Sequence, residues 1–343
     1  MLLNRLKILL PILLLISTTA CNKEEPVIPS EEPLIELDFS TPPFDLQAAD
    51  ARFAEDIPYD QYESTQFDIL LPTSATPTPL VVFIHGGGFT GGDKQFAYSS
   101  DYQASVIELL SNGIAVATIN YRLLEGNETV GVLKSLNDAK RAVQYLRYIH
   151  QELNVDKDKI GLFGSSAGAS TSLWIATNDD FKDPNNTDPV LRQSTRVQGV
   201  ALRATQSSLD IENRWINDVF EDFGSSWDDL LAGFGEEALF RFYGINSWEE
   251  YESPTIDQYR KSVDMLSLLS ADDPEIWVTN TGGHNNVPQT QGSFNHHPFH
   301  AREIKEFADA VGVPNVATYG KPLLFSDPSN EDFVDFFIRK LGE

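Results

Sequence analysis

Cysteine is almost absent: Cys21 is the only one in 343 residues. A single thiol makes no internal disulfide and builds no cysteine-rich metal cage. Positive charge is also scarce, with 25 Lys and Arg against 51 Asp and Glu and a formal net charge of −26. Such a surface repels phosphate backbones, which excludes nucleic acid as a partner. It repels anionic headgroups too, so any attachment to a membrane has to be covalent or hydrophobic. Long apolar runs are missing. The stretch from Leu6 to Ile16 is broken by Lys7 and Pro11 and is too short for a stable span. What the chain does have is core material: 41% of its residues are hydrophobic, against wholesale disorder.

Residues 1–21 read as a targeting segment. Arg5 and Lys7 start it, the apolar run follows, and Ser17-Thr18-Thr19-Ala20 lead to Cys21. This resembles a bacterial lipoprotein signal, with Thr18 where such signals usually carry Leu. The resemblance implies that residues 1–20 are removed and that Cys21 carries lipid. It further implies an exported protein, held at a bacterial membrane on its periplasmic or cell-surface face by that lipid only. Each buried methylene of an acyl chain contributes ~0.8 kcal/mol to such an anchor. Residues 21–58 are rich in proline and acid, including Pro26, Pro29, Pro33, Pro42 and Pro43. They are expected to form a stiff acidic tether.

From residue 59 strand and helix signals alternate. Phe67–Leu71, Leu80–Ile84, Ile114–Ile119, Ile160–Phe163, Val197–Leu202, Glu275–Thr279 and Val316–Tyr319 read as strands. Several are continuous β-prone runs, as for strands buried on both faces. Leu136, Ala139, Val143 and Leu146 are spaced by three and four residues, which predicts an amphipathic helix. Further helices are expected from about Ala167 and over Glu331–Leu341. The alternation predicts an α/β domain over 59–343, with a mostly parallel central sheet flanked by helices. Residues 206–265 interrupt it with many aromatics among acids, which predicts a small helical cap insert lining a pocket.

Two motifs carry chemistry. Gly164-Ser165-Ser166-Ala167-Gly168 is a G-x-S-x-G between a buried strand and a helix. That context makes it a nucleophile elbow, a turn too tight for side chains at its flanks, which lifts the Ser166 hydroxyl above the sheet. His85-Gly86-Gly87-Gly88-Phe89 follows another buried strand. Consecutive glycines leave backbone N–H groups unshielded. The N–H groups of Gly87, Gly88 and Ala167 are the candidates to hold an oxyanion, each such donor being worth ~2.7–4 kcal/mol of barrier. The loop lacks the Lys-Ser/Thr ending of a P-loop and the spacing of a dinucleotide fingerprint.

At these residues the sequence resembles the α/β-hydrolase superfamily, and more narrowly the HGGG-type carboxylesterases of the feruloyl-esterase-like and hormone-sensitive-lipase-like groups. Gly92-Asp93-Lys94, Asn120-Tyr121-Arg122 and Asp138-Ala139 extend the resemblance over about residues 59–205. It implies hydrolysis of carboxylic esters, on small acyl groups or carbohydrate-linked esters, through an acyl-enzyme on Ser166. No cofactor, metal or protein partner is implied. His85 matches a motif histidine that props the glycine loop.

The usual partners of the serine are not in their usual places. No Asp or Glu occurs between Glu275 and Glu303, and no His between His300 and the C-terminus. His284 stands where such sequences carry the acid, and on position it is the favoured base; His296, His297 and His300 remain alternatives. Asp210, past the sixth strand, is the favoured acid, with Asp327 as the alternative. What the reaction requires is geometry: a base in hydrogen-bond reach of Ser166, then an orienting carboxylate. His296-His297-Pro298-Phe299-His300 also places three imidazoles in five residues, but without H-E-x-x-H spacing or an adjoining carboxylate, so no metal is assigned. The second functional class left open is a catalytically silent hydrolase-like lipoprotein that binds a glycan or peptide.

Overall fold

A computed structural model describes residues 34–342. The signal segment, Cys21 and the tether as far as residue 33 lie outside the described residues. The strands are β1 (Phe39–Ser40), β2 (Ala51–Pro58), β3 (Gln66–Pro72), β4 (Thr78–Ile84), β5 (Ala115–Ile119), β6 (Val155–Ser165), β7 (Gly199–Arg203), β8 (Glu275–Gly283), β9 (Asn315–Lys321) and β10 (Phe325–Ser326). They form one sheet in the order β1-β2-β3-β5-β4-β6-β7-β8-β9-β10. From β5 to β9 neighbours run parallel; β1, β2, β3 and β10 pair antiparallel at the edges.

The helices are α1 (Gln103–Ser111), α2 (Leu133–Tyr148), α3 (Ala167–Thr177), α4 (Trp227–Phe234), α5 (Glu236–Tyr243), α6 (Trp248–Tyr251), α7 (Pro254–Ser262), α8 (Met265–Leu268), α9 (Gln291–Asn295), α10 (Phe299–Val311) and α11 (Phe333–Gly342). Strand alternation sorts the core into two layers. Along β4, Leu80, Val82 and Ile84 pack with α2, α3 and α10. Val81 and Phe83 face the other way, onto Val106 and Leu109 of α1 and Phe336 and Phe337 of α11. None of the described helices is long and apolar enough to cross a membrane.

Residues 34–58 depart from the expected tether, because β1 and β2 belong to the sheet. In β2, Phe53 and Ala54 are both buried, and the register with β3 shifts between Ala54 and Ile57. That irregularity breaks the two-residue alternation by which a strand is recognised. Between β7 and β8 the chain is helical: a segment Ile211–Val219, then α4 to α8. Trp215, Phe220, Phe234, Phe242 and Tyr243 of this region join the core layer that also holds α3 and α10.

Candidate active site

Ser166 sits between β6 and α3 with φ 52° and ψ −121°. A non-glycine residue there is strained, and such strain clusters at functional sites. The neighbours make the turn possible. A Cβ on Gly164 would lie 2.2 Å from the Gly168 carbonyl oxygen, and one on Gly168 would lie 2.0 Å from the Ile84 carbonyl oxygen. Only glycine lets β6, α3 and the end of β4 approach this closely.

The glycine loop after β4 packs against the elbow. Gly87 has φ +109°, and its carbonyl accepts from the N–H groups of Thr90 and Gly91 at 3.1 Å, closing a tight turn. The N–H groups of Gly87, Gly88 and Ala167 donate to no acceptor among the described residues. Ala167 opens α3, so its N–H also lies at the positive end of that helix. His85 supports the loop from below. Its ring stacks on Tyr121 at 4.3 Å, and Nδ1 donates to the Gly86 carbonyl at 2.7 Å. Burial lowers its pKa, keeping it neutral. Asp93 accepts from Asn120, and Arg122 donates twice to Asp138 at 2.8 and 2.7 Å. These motif residues are struts of the scaffold.

The histidine beside the serine is His296. Its Nε2 lies 2.8 Å from Ser166 Oγ. His284, expected as the base, is half-buried just past the end of β8, and its Nδ1 has no hydrogen-bond partner among the described residues. His297 is buried among Phe220, Phe223 and Phe299, where its Nδ1 accepts from the Phe299 N–H at 3.2 Å. His300 is fully buried; its Nδ1 accepts from the Ser207 N–H and its Nε2 donates to the Phe294 carbonyl. Desolvation pushes the pKa of His297 down to about 4 and of His300 down to about 3. Both are therefore neutral structural groups. Among the described residues no group of three or more His, Cys, Asp or Glu is placed to hold a metal.

No described histidine is ion-paired with a carboxylate. Asp210, expected to orient the base, turns to Arg260 of α7 instead, with Oδ1 2.8 Å from Nε. It also caps the Ile211–Val219 segment by accepting from the Asn213 N–H. Burial raises its pKa, against the opposing pull of Arg260. The insert supplied a cation next to Asp210, and no reading of β7 alone reveals that. Asp327 accepts from the Ser329 N–H in the turn before α11.

What holds His296 is its backbone surroundings. It is the C-cap of α9, its N–H bonded to the Gly292 carbonyl. Three buried side chains grip the carbonyls around it. His300 Nε2 holds Phe294 O at 2.9 Å, Gln206 Nε2 holds Asn295 O at 2.8 Å, and Asn280 Nδ2 holds His297 O at 3.1 Å. The cluster of histidines was the one sequence signal for this arrangement. Nothing local separates His296 from its neighbours, because the packing of Phe220 and Phe223 decides which rings are buried.

Ser166, Ala167 and Gly88 share a small pocket of about 30 Å³ with Leu209, Trp215, Phe234 and Phe242. It adjoins an outer cleft of about 340 Å³, to which Thr90, Arg241, Gln291 and Asn295 bring polar side chains. His296 is exposed at its surface, but partial desolvation of the ring beside Ser166 still holds its pKa below its ordinary value.

A mostly parallel sheet with a strained serine on the turn after its central strand β6 defines the class: the chain has the α/β-hydrolase fold. A family model described as BD-FAE matches residues 67–210, from β3 to just past β7. The chain is 26% identical over 210 residues to gut esterase 1 of Caenorhabditis elegans, covering 60% of this chain and 36% of that protein. It is 32% identical over 118 residues to a secreted lipase of Arthroderma benhamiae, covering 31% of this chain and 23% of the lipase. The chain thus spans about a third or less of the length of these curated relatives. Among solved structures, a truncated carbohydrate esterase from gut microbiota superposes with a TM-score of 0.61 at 19% identity, covering 86% of this chain and 98% of that one.

Proposed function

We propose that this protein is a serine carboxylesterase in which Ser166 is the nucleophile and His296 the base. The observation that carries the reading is the 2.8 Å contact between Ser166 Oγ and His296 Nε2, beside amides with no acceptor among the described residues. Esterase and lipase relatives support ester hydrolysis as the chemistry. In this scheme Nε2 takes the hydroxyl proton as Oγ attacks the ester carbonyl. The N–H groups of Gly87, Gly88 and Ala167 hold the oxyanion. His296 then returns the proton to the leaving alcohol, and water, activated by the same imidazole, releases the acid.

Two features narrow the substrate. A pocket of about 30 Å³ admits a methyl or ethyl group, so the acyl part is small. The polar outer cleft suits a hydroxylated alcohol such as a sugar. The protein is proposed to work as an exported lipoprotein, a reading that rests on the segment ending at Cys21. The second reading, a silent binder, is favoured by one observation: His296 has no carboxylate partner among the described residues. A fluorophosphonate probe separates the two. Labelling that is lost in Ser166→Ala, together with hydrolysis of p-nitrophenyl acetate, is the expected result. An unlabelled, inactive protein would leave only the binder.

A further inference from the structure

One depression reverses the charge balance of this acidic chain. A cleft of about 310 Å³ is lined by Arg147, Lys157, Lys182, Arg192 and Arg196, and Asp158 is the only acid in its lining. These cations come from the last turn of α2, the start of β6 and the loop between α3 and β7. Ser166 lies past the far end of β6. At ~3.3 Å per residue along that strand, the two sites are on the order of 30 Å apart, at opposite ends of the strands.

The floor of the cleft is built. Arg147 is 6% exposed and forms no ion pair among the described residues. Its guanidinium donates to the carbonyls of Lys157, Ser194 and Arg196, fastening the loop to β6. Those bonds satisfy three N–H groups through neutral carbonyls, and Asp180 and Asp158 act on its charge only from beyond ion-pair distance; a guanidinium has further N–H groups to give. Asp180, an acid of the same loop, accepts through Oδ1 from the N–H and Oγ1 of Thr195 and from the Lys182 N–H. Above the floor stand Lys182 and Arg192, exposed and without an ion-pair partner among the described residues. Asp188, near Arg192, is engaged by Arg141 at 2.6 Å. Lys157 and Arg196 already have partners, in Asp158 and in Asp272 with Asp273.

We propose that this cleft is a binding site for a small oxyanion, a phosphate, sulfate or carboxylate group on a molecule no larger than a sugar ring. Arg147 supplies a fixed positive field from below, and Lys182 and Arg192 close on the anion from the rim. The site is separate from Ser166 and does not depend on ester hydrolysis.

Titration calorimetry of the full chain tests it, with inorganic phosphate, sulfate and galacturonic acid as probes at low ionic strength. Saturable one-to-one binding of at least one of them is expected. Lys182→Ala with Arg192→Ala should weaken it by about tenfold or more, as should a rise to about 0.2 M NaCl. Both side chains are exposed, so an unchanged melting temperature verifies the fold of the variant. Binding of the inorganic ions alone marks a tetrahedral-anion site, and competition by galacturonic acid extends it to acidic sugars. No binding by any probe at tens of millimolar, or binding that survives the double substitution, overturns the proposal.

Discussion

Replacing His296 by alanine is the sharpest perturbation of the proposed site. The substitution removes the only imidazole within hydrogen-bond reach of Ser166. A positioned general base is typically worth 10²–10⁴ in rate, or about 2.7–5.5 kcal/mol of barrier. The expected effect is a fall in kcat of that size on p-nitrophenyl acetate, with KM little changed. His284→Ala, at a ring that does not touch Ser166, should change kcat less than about twofold. The pH profile adds a second criterion. Partial desolvation of the ring holds the His296 pKa below its ordinary value, and no carboxylate among the described residues pairs with it. A base works when neutral, so kcat/KM should rise with pH through an inflection below about 6.5 and then stay level. A carboxylate about 4 Å from the ring would stabilise the imidazolium by up to about 4 kcal/mol and carry the inflection above that value. Loss of activity in His284→Ala with survival in His296→Ala would refute the pairing. An acid limb centred well above pH ~6.5 would refute the absence of an orienting carboxylate.

The other outcomes follow from packing and burial. Gly168→Ala drives a Cβ to 2.0 Å from the Ile84 carbonyl, so the variant should be recovered insoluble or unfolded by circular dichroism. Gln206→Ala frees the Asn295 carbonyl beside His296; kcat should fall about tenfold at nearly constant KM, with slower phosphonate labelling, while the variant still melts cooperatively. Phe234→Ala enlarges the pocket behind Ser166, and kcat/KM should shift from acetyl towards butyryl esters by at least about tenfold. His297 and His300 stay neutral in the fold down to about 4 and 3, while the unfolded chain takes up protons near the ordinary value of 6.5. Stability should therefore fall as pH drops from about 6.5 towards about 4, by up to ~1.4 kcal/mol per pH unit for each ring. Urea midpoints should show a shallower slope in His297→Gln.

The sequence by itself determined the parts that are local. The elbow needs five consecutive residues, 164–168, and its glycines are dictated by backbone clearances no other side chain meets. The glycine loop after β4 and the buried strands β4 to β7 are likewise legible, because a buried parallel strand is a run of neighbours along the chain. Strand β2, next to the edge strand β1, was hidden by its irregular register with β3. Tertiary structure decided the partners. His296 lies 130 residues beyond Ser166 and meets it only because Gln206, Asn280 and His300 pin the backbone around α9. Asp210 stands at the expected strand end, yet Arg260 of the insert claims its carboxylate. Which of several like side chains faces a site depends on what packs over the rest, and that is a property of contacts between distant segments, which no local pattern encodes.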